Sequence, residues 1–277
     1  MKTGLMIKLN IFVLLLLLVS CKNDKLKEVT EYFDNGNLKS IEYFNTNGEQ
    51  EGESKYYKEN GTLDYSTFYN NGEIVKSIIY YDDGKIHYHS ETGKNDTIRK
   101  VSYHRNGKIE MIGNVVEGKR VGWWKKHNSE ENLIGEYEFL IVDNKEHLNQ
   151  FKVYDKNGKI KEEESSFFTL TLSDTVKIGK NTGRLNYYSI SNKDSERHLY
   201  VIIDNEYEGG IIKKDTFYIE NGKNRFGVYA YKSGSLNVKG TILDRELYVR
   251  ELNKEKDSFG LEFKNHYKYF EKEVYVQ

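Results

Sequence analysis

Residues 32–84 read YFDNGNLKSIEYFNTNGEQEGESKYYKENGTLDYSTFYNNGEIVKSIIYYDDG, and this stretch decides the fold. Aromatic pairs recur in it, each followed one or two residues on by Asn-Gly or Asp-Gly. The pairs are Tyr32-Phe33 before Asn35-Gly36, Tyr43-Phe44 before Asn47-Gly48, Tyr56-Tyr57 before Asn60-Gly61, Phe68-Tyr69 before Asn71-Gly72, and Tyr80-Tyr81 before Asp83-Gly84. Tyr103-His104 before Asn106-Gly107 extends the series. The glycines fall at a period of roughly 11 to 13 residues, doubling to about 23, the scale of stacked supersecondary units. Asn-Gly and Asp-Gly tolerate positive φ at both central positions of a type I′ turn, whose twist suits two antiparallel strands. Each unit is therefore expected to be a β-hairpin, with Gly36, Gly48, Gly61, Gly72, Gly84, Gly107, Gly118 and Gly122 as the turn glycines of the repeat. Alternation along a strand sends the two members of a doublet to opposite faces, so a row of rings is expected on each face of the sheet.

Composition supports this reading across all 277 residues. There is no proline and one alanine, Ala230, whereas there are 23 tyrosines and 13 phenylalanines. Alanine is the strongest helix former, and aromatic residues favour a pleated, half-buried surface, so the balance points to sheet. Lys plus Arg is 42 against 43 Asp plus Glu. Phosphate neutralisation needs a clear basic excess, so nucleic acid is not an expected partner.

The segment Gly113-Asn114-Val115-Val116-Glu117-Gly118-Lys119-Arg120-Val121-Gly122-Trp123-Trp124 contains a Gly-Lys-x-x-Gly-x-Trp core. It resembles the MORN repeat family, in particular the bacterial MORN-variant repeats of about two dozen residues. Gly48 to Tyr57 resembles a weaker copy, and Asn149 to Ile160 a last one, after a divergent insert from Asn128 to Leu148. The resemblance implies a hairpin-repeat sheet used for binding or scaffolding. Candidate binding residues are Trp123, Trp124, Tyr56, Tyr57, Tyr80, Tyr81 and Tyr103. Rings of this kind most often stack on one another to stabilise a thin sheet, while an exposed row marks an interaction site. Trp123 and Trp124 must face opposite sides.

The first twenty-one residues read MKTGLMIKLNIFVLLLLLVSC. Lys2 and Lys8 precede an apolar run too short for the roughly 20 residues that cross a bilayer, so the segment is expected to be a signal peptide. Its close, Leu18-Val19-Ser20-Cys21, resembles the bacterial lipoprotein signal, which implies cleavage after residue 20 and lipidation of Cys21. Cys21 is the single cysteine, so an internal disulfide is excluded, and a lipidated sulfur is excluded as nucleophile or metal ligand. The two or three acyl chains of such a modification would anchor the protein durably. Lys22-Asn23-Asp24 partly resembles the surface-export signal of Bacteroidota lipoproteins, with the periplasmic face of the outer membrane as the alternative.

Past Glu162-Glu163-Glu164 the repeat stops, and short alternating segments follow up to Tyr269. They predict a β-sandwich of about 110 residues. The piece from Phe226 to Leu243, with Lys232-Ser233-Gly234 at its turn, resembles the last hairpin of Ig-like accessory domains. The expected organisation is thus all-β: a signal peptide over 1–20, a lipidated stem over 21–27, a MORN-like repeat domain over 28–164, and an Ig-like β-sandwich over 165–277.

No catalytic centre is legible. HExxH, GxSxG and P-loop motifs are missing, and Gly179-Lys180-Asn181-Thr182 reads as a turn. His87 and His89 share a strand face that His104 could join, yet no further ligand motif accompanies them, so no metal is assigned. No cofactor is expected. The sequence points to a non-catalytic, membrane-anchored module with a protein, glycan or lipid-surface partner in the envelope. The alternative is an antitoxin- or immunity-like protein, a label that MORN-variant proteins often carry, and an envelope hydrolase ranks last.

Overall fold

A computed structural model describes residues 26–190, 196–220, 222–253 and 258–277. The expected signal peptide, Cys21 and the stem up to Lys25 lie outside the described residues. Eleven strands run in chain order as one antiparallel meander: β1 (Lys27–Tyr32), β2 (Leu38–Phe44), β3 (Gly52–Tyr57), β4 (Leu63–Asn70), β5 (Glu73–Tyr80), β6 (Ile86–Thr92), β7 (Thr97–Tyr103), β8 (Ile109–Val116), β9 (Lys119–His127), β10 (Leu133–Val142) and β11 (Lys145–Val153). At the usual strand spacing this ribbon is roughly 48 Å wide.

The corners are of two kinds, and this corrects the expectation of type I′ turns throughout. Where β1 meets β2, β3 meets β4, β5 meets β6 and β7 meets β8, the loop is longer by one residue. Only its glycine takes positive φ, at 84°, 83°, 78° and 83° for Gly36, Gly61, Gly84 and Gly107. Each glycine N–H closes a turn onto the residue three positions back, as Gly36 does onto Phe33 O at 2.9 Å. The preceding Asn or Asp then accepts a backbone N–H two residues on: Asn37 to Asn35 Oδ1 at 2.9 Å, Lys85 to Asp83 Oδ1 at 3.2 Å. These are type I turns followed by a bulge residue, a three-residue hairpin form that wants the same Asn-Gly pair for a different reason. The two-residue form with both φ positive occurs at Asn71-Gly72, Glu117-Gly118 and Asp143-Asn144. Gly122 is not a turn glycine: it lies within β9, at φ 65°, beside a register shift against β8.

The corner signature is tighter than the doublets suggest. Tyr32 opposes Leu38, Tyr57 opposes Leu63, Tyr80 opposes Ile86, Tyr103 opposes Ile109, and Tyr154 bridges Ile160. His127 opposes Leu133 in the same way, with Glu131 at φ 73° where the other corners carry glycine. Residues 128–148 are therefore regular parts of the sheet, not an insert. Successive corners are stitched laterally as well. Asn37 Nδ2 donates to Glu59 O at 2.7 Å, Tyr81 Oη to Tyr103 O at 2.8 Å, and Asn106 Nδ2 to Ser129 O at 2.7 Å.

Beyond a 3₁₀ turn over Glu162–Glu164, the described residues form two further sheets. One contains β12 (Phe167–Thr171), β14 (Gly179–Tyr188) and β17 (Arg225–Ala230); the other contains β13 (Thr175–Val176), β15 (Glu196–Tyr207), β16 (Ile211–Ile219), β18 (Gly234–Asn253) and β19 (Ser258–Val276). They enclose an apolar core in which Leu185, Phe226 and Val228 of the first meet Val201, Ile203, Ile242 and Phe270 of the second. The fold is all-β, as expected, but two local readings are corrected. Residues 226–243 are not a hairpin: β17 pairs with β14 while β18 pairs with β15 and β19, so Lys232-Ser233-Gly234 carries the chain from one sheet to the other. Gly179-Lys180-Asn181-Thr182 opens strand β14 instead of forming a turn.

Candidate ligand-binding surfaces

The repeat sheet is a single layer, so its rings must shield it themselves. Tyr56 stacks on Tyr65 at 4.5 Å between ring centroids. Tyr80 lies within 3.3 Å of Ser66 Oγ, Tyr103 Oη within 3.0 Å of His89 Nδ1, and Tyr81 stacks on His87 at 4.3 Å beneath the Arg105 guanidinium. Burial raises the Tyr56 phenol well above its usual range, and burial also lowers His89. Tyr57 is half-buried beside its partner Leu63. His104 donates to His127 O at 2.9 Å, so the three histidines turn to three different partners. Among the described residues no group of three or more His, Cys, Asp or Glu is placed to hold a metal ion.

The two tryptophans divide their roles. Trp124 is 7% exposed and packs with Val115 and Phe139; its indole N–H donates to Asn114 O at 3.1 Å. A Cβ on Gly113 would sit 2.2 Å from its indole carbons, so the glycine is the seat of that ring. Trp124 is thus unavailable as an anchor, because the sheet itself consumes its surface. Trp123, on the opposite face, is 38% exposed with Lys152 Nζ 4.8 Å above the ring.

A second site, which the sequence did not reveal, lies where the repeat sheet meets the sandwich. The joint is made by β11 and β19. Asn149 behaves as an extra backbone unit: its Oδ1 accepts the Tyr269 N–H at 2.7 Å and its Nδ2 donates to Tyr269 O at 2.9 Å. Lys268 Nζ donates to Asn149 O at 2.6 Å and Ser166 O at 3.3 Å, and His147 Nε2 donates to Tyr267 O at 2.9 Å. Burial pushes the Lys268 ammonium down to about 8.

Beside the joint is a cleft of about 620 Å³. Its floor carries Asp244, Glu246 and Lys268, which are 2, 4 and 6% exposed. Asp244 accepts Tyr187 Oη at 2.8 Å and a bidentate pair from Arg197, Nε at 3.1 Å and Nη2. Glu246 accepts Tyr248 Oη and lies 3.5 Å from both Arg197 Nε and His266 Nε2. Burial acts to raise the Glu246 carboxyl, but the Tyr248 hydrogen bond and the Arg197 and His266 charges hold it below its usual value. Burial and the Asp244 charge raise the Tyr187 phenol. The mouth is apolar, with Leu148, Ile190 and Tyr267 exposed. Asp244 and Glu246 at i, i+2, with Lys264, His266 and Lys268 on the paired strand, were the available sequence signal; read alone, they resemble a solvated strand face.

A meander of similar hairpins whose faces carry rings is a repeat architecture, which fits a binding or scaffold module. The chain carries MORN-variant repeats: the family described as "MORN repeat variant" matches residues 25–46, 50–71 and 149–167. Each matched stretch contains one Tyr to Leu/Ile corner, and the last agrees with the repeat expected from Asn149. The Gly113–Trp124 segment lies outside the matched residues. No curated protein matches the chain. Among solved structures, the extracellular domain of BT4673 from B. thetaiotaomicron, assigned as a one component system, aligns at 10% identity and a TM-score of 0.20. The alignment covers 90% of this chain and 49% of that one, and a likeness of this degree assigns nothing. No helix among the described residues is long and apolar enough to cross a membrane.

Proposed function

We propose that this chain is a lipid-tethered, non-catalytic binding module of the cell envelope, held at the outer membrane by an acylated Cys21 and docking a protein or glycan through its MORN-variant sheet. One observation carries the docking half: the contacts of the sheet with the rest of the described chain are concentrated on β11, so both faces stay uncovered and Trp123 remains reachable. An exposed aromatic ring on an uncovered sheet face is the kind of surface that interaction sites use. The tether half rests on the leader and the position of Cys21 after it.

The test uses the full chain expressed in its membrane. Trp123→Ala is expected to lose a cross-linked envelope partner that the unmodified chain retains, with an unchanged far-ultraviolet circular dichroism spectrum. Identical partner profiles would remove the ring surface from the account. Mass spectrometry of the native product is expected to show an acylated Cys21 as the first residue; a free thiol there overturns the tether.

A further inference from the structure

The cleft at the joint has the dimensions of a small-molecule site, which typically enclose about 300–1,000 Å³. Its floor is not explained by stability. Buried ion pairs are often matched or bettered by apolar residues of similar volume, and the neighbouring core of the same two sheets is built in that apolar way from Leu185, Phe226, Ile242 and Phe270. A charged cluster set at the bottom of an open cleft, beside such a core, is placed for a ligand.

The chemistry of the walls selects the ligand. On the floor the two carboxylates of Asp244 and Glu246 are matched by the Arg197 guanidinium and the Lys268 ammonium; Lys264, the third cation of the lining, is exposed to solvent at the wall. A cation would have to displace Arg197, and an anion would face both acids, so a neutral ligand is favoured. Each carboxylate offers about four acceptor positions; Tyr187 and the two Arg197 nitrogens take three on Asp244, and Tyr248 takes one on Glu246, so the places for hydroxyl donors lie mainly on Glu246. Lys264 and Asn265 of β19 line the wall with donor groups. The mouth presents Tyr267, Leu148 and Ile190, with Phe151 also lining the cleft. Hydroxyls toward a polar floor and a C–H face against an aromatic ring are the two sides of a sugar.

The geometry points to a binding site for a neutral saccharide in the cleft between β11 and the sandwich, its hydroxyls on Asp244 and Glu246 and its ring face on Tyr267. Trp123 does not line this cleft, so the site goes beyond the ring surface proposed above and stands or falls separately.

The experiment is isothermal titration of the full chain in detergent with neutral hexasaccharides of the gluco-, manno- and xylo- series, and with oligogalacturonate and chitosan oligomers as charged arms. A saturable response to a neutral oligosaccharide is expected. It should weaken at least about tenfold, as loss of an anchor does, in Tyr267→Ala and in Ile190→Trp, both at exposed positions that leave the fold intact. Ile211→Ala, at an exposed position of β16 that does not line the cleft, should leave it unchanged. Silence across the neutral series, preference for a charged arm, or binding that survives both rim variants overturns the proposal.

Discussion

The two halves of the molecule solve the same problem in opposite ways. The sandwich buries a continuous apolar core between two sheets, so each core side chain depends on partners far away in sequence. Among the described residues the repeat sheet has no second layer; its main apolar cluster is Val115, Trp124 and Phe139, and small residues such as Ser54, Ser66 and Thr67 fill its buried positions. Its strands pair with their sequence neighbours, and side-chain hydrogen bonds join corners about one repeat apart. One half is stabilised collectively and the other by summation of similar neighbour terms, as in solenoids.

The sharpest test of the collective half is Phe226→Ala. The ring is almost fully buried and lies 6.0 Å from Phe270. Its loss is expected to cost about 3–5 kcal/mol, measured by chemical denaturation. A cost below about 1 kcal/mol would show that the sandwich is packed no more tightly than the sheet.

The joint gives the next effect. The unfolded chain keeps the Lys268 proton up to its ordinary value of 10.5, whereas the folded chain releases it near 8. The unfolded state therefore binds more protons between these values, and stability rises with pH across that window. Below pH 8 both states are charged and the full burial cost, about 3 kcal/mol, is present. Lys268→Met should remove this slope, so the stability difference between wild type and variant should change by a large part of that amount between pH 8 and 10. A difference that stays constant would mean that the ammonium is solvated.

The smallest effect belongs to the repeat half. Glu131 holds the left-handed conformation that glycine takes at the other corners. Glu131→Gly should stabilise the sheet by roughly 1 kcal/mol, seen as a higher denaturation midpoint. A loss of stability would show that the Glu131 side chain matters more than its backbone.

The same contrast governs what was legible. The repeat sheet is written locally, so its Asn-Gly corners are legible; the type of turn is not, because both hairpin forms favour that dipeptide. Strands β10 and β11 escaped because Glu130-Glu131 and Asp143-Asn144 replace glycine at their corners. The strands of the sandwich were visible through alternation, but their partners were not: nothing in residues 231–234 distinguishes a hairpin turn from a crossing between sheets. The cleft was least legible of all. His147, Tyr187, Arg197, Glu246 and His266 come from five strands or their ends: the pairing of β15, β18 and β19 and the packing of β14 against them gather the last four, and the Asn149 side chain brings β11 with His147 alongside.

The strict neighbour-to-neighbour order of β1 to β11 also has a mechanical meaning. A load applied at the β1 end meets the interface of one strand pair at a time, so the ribbon would unzip progressively and lengthen in steps while the sandwich beyond it keeps its shape. The module would then act as a yielding leash whose far end stays folded under tension.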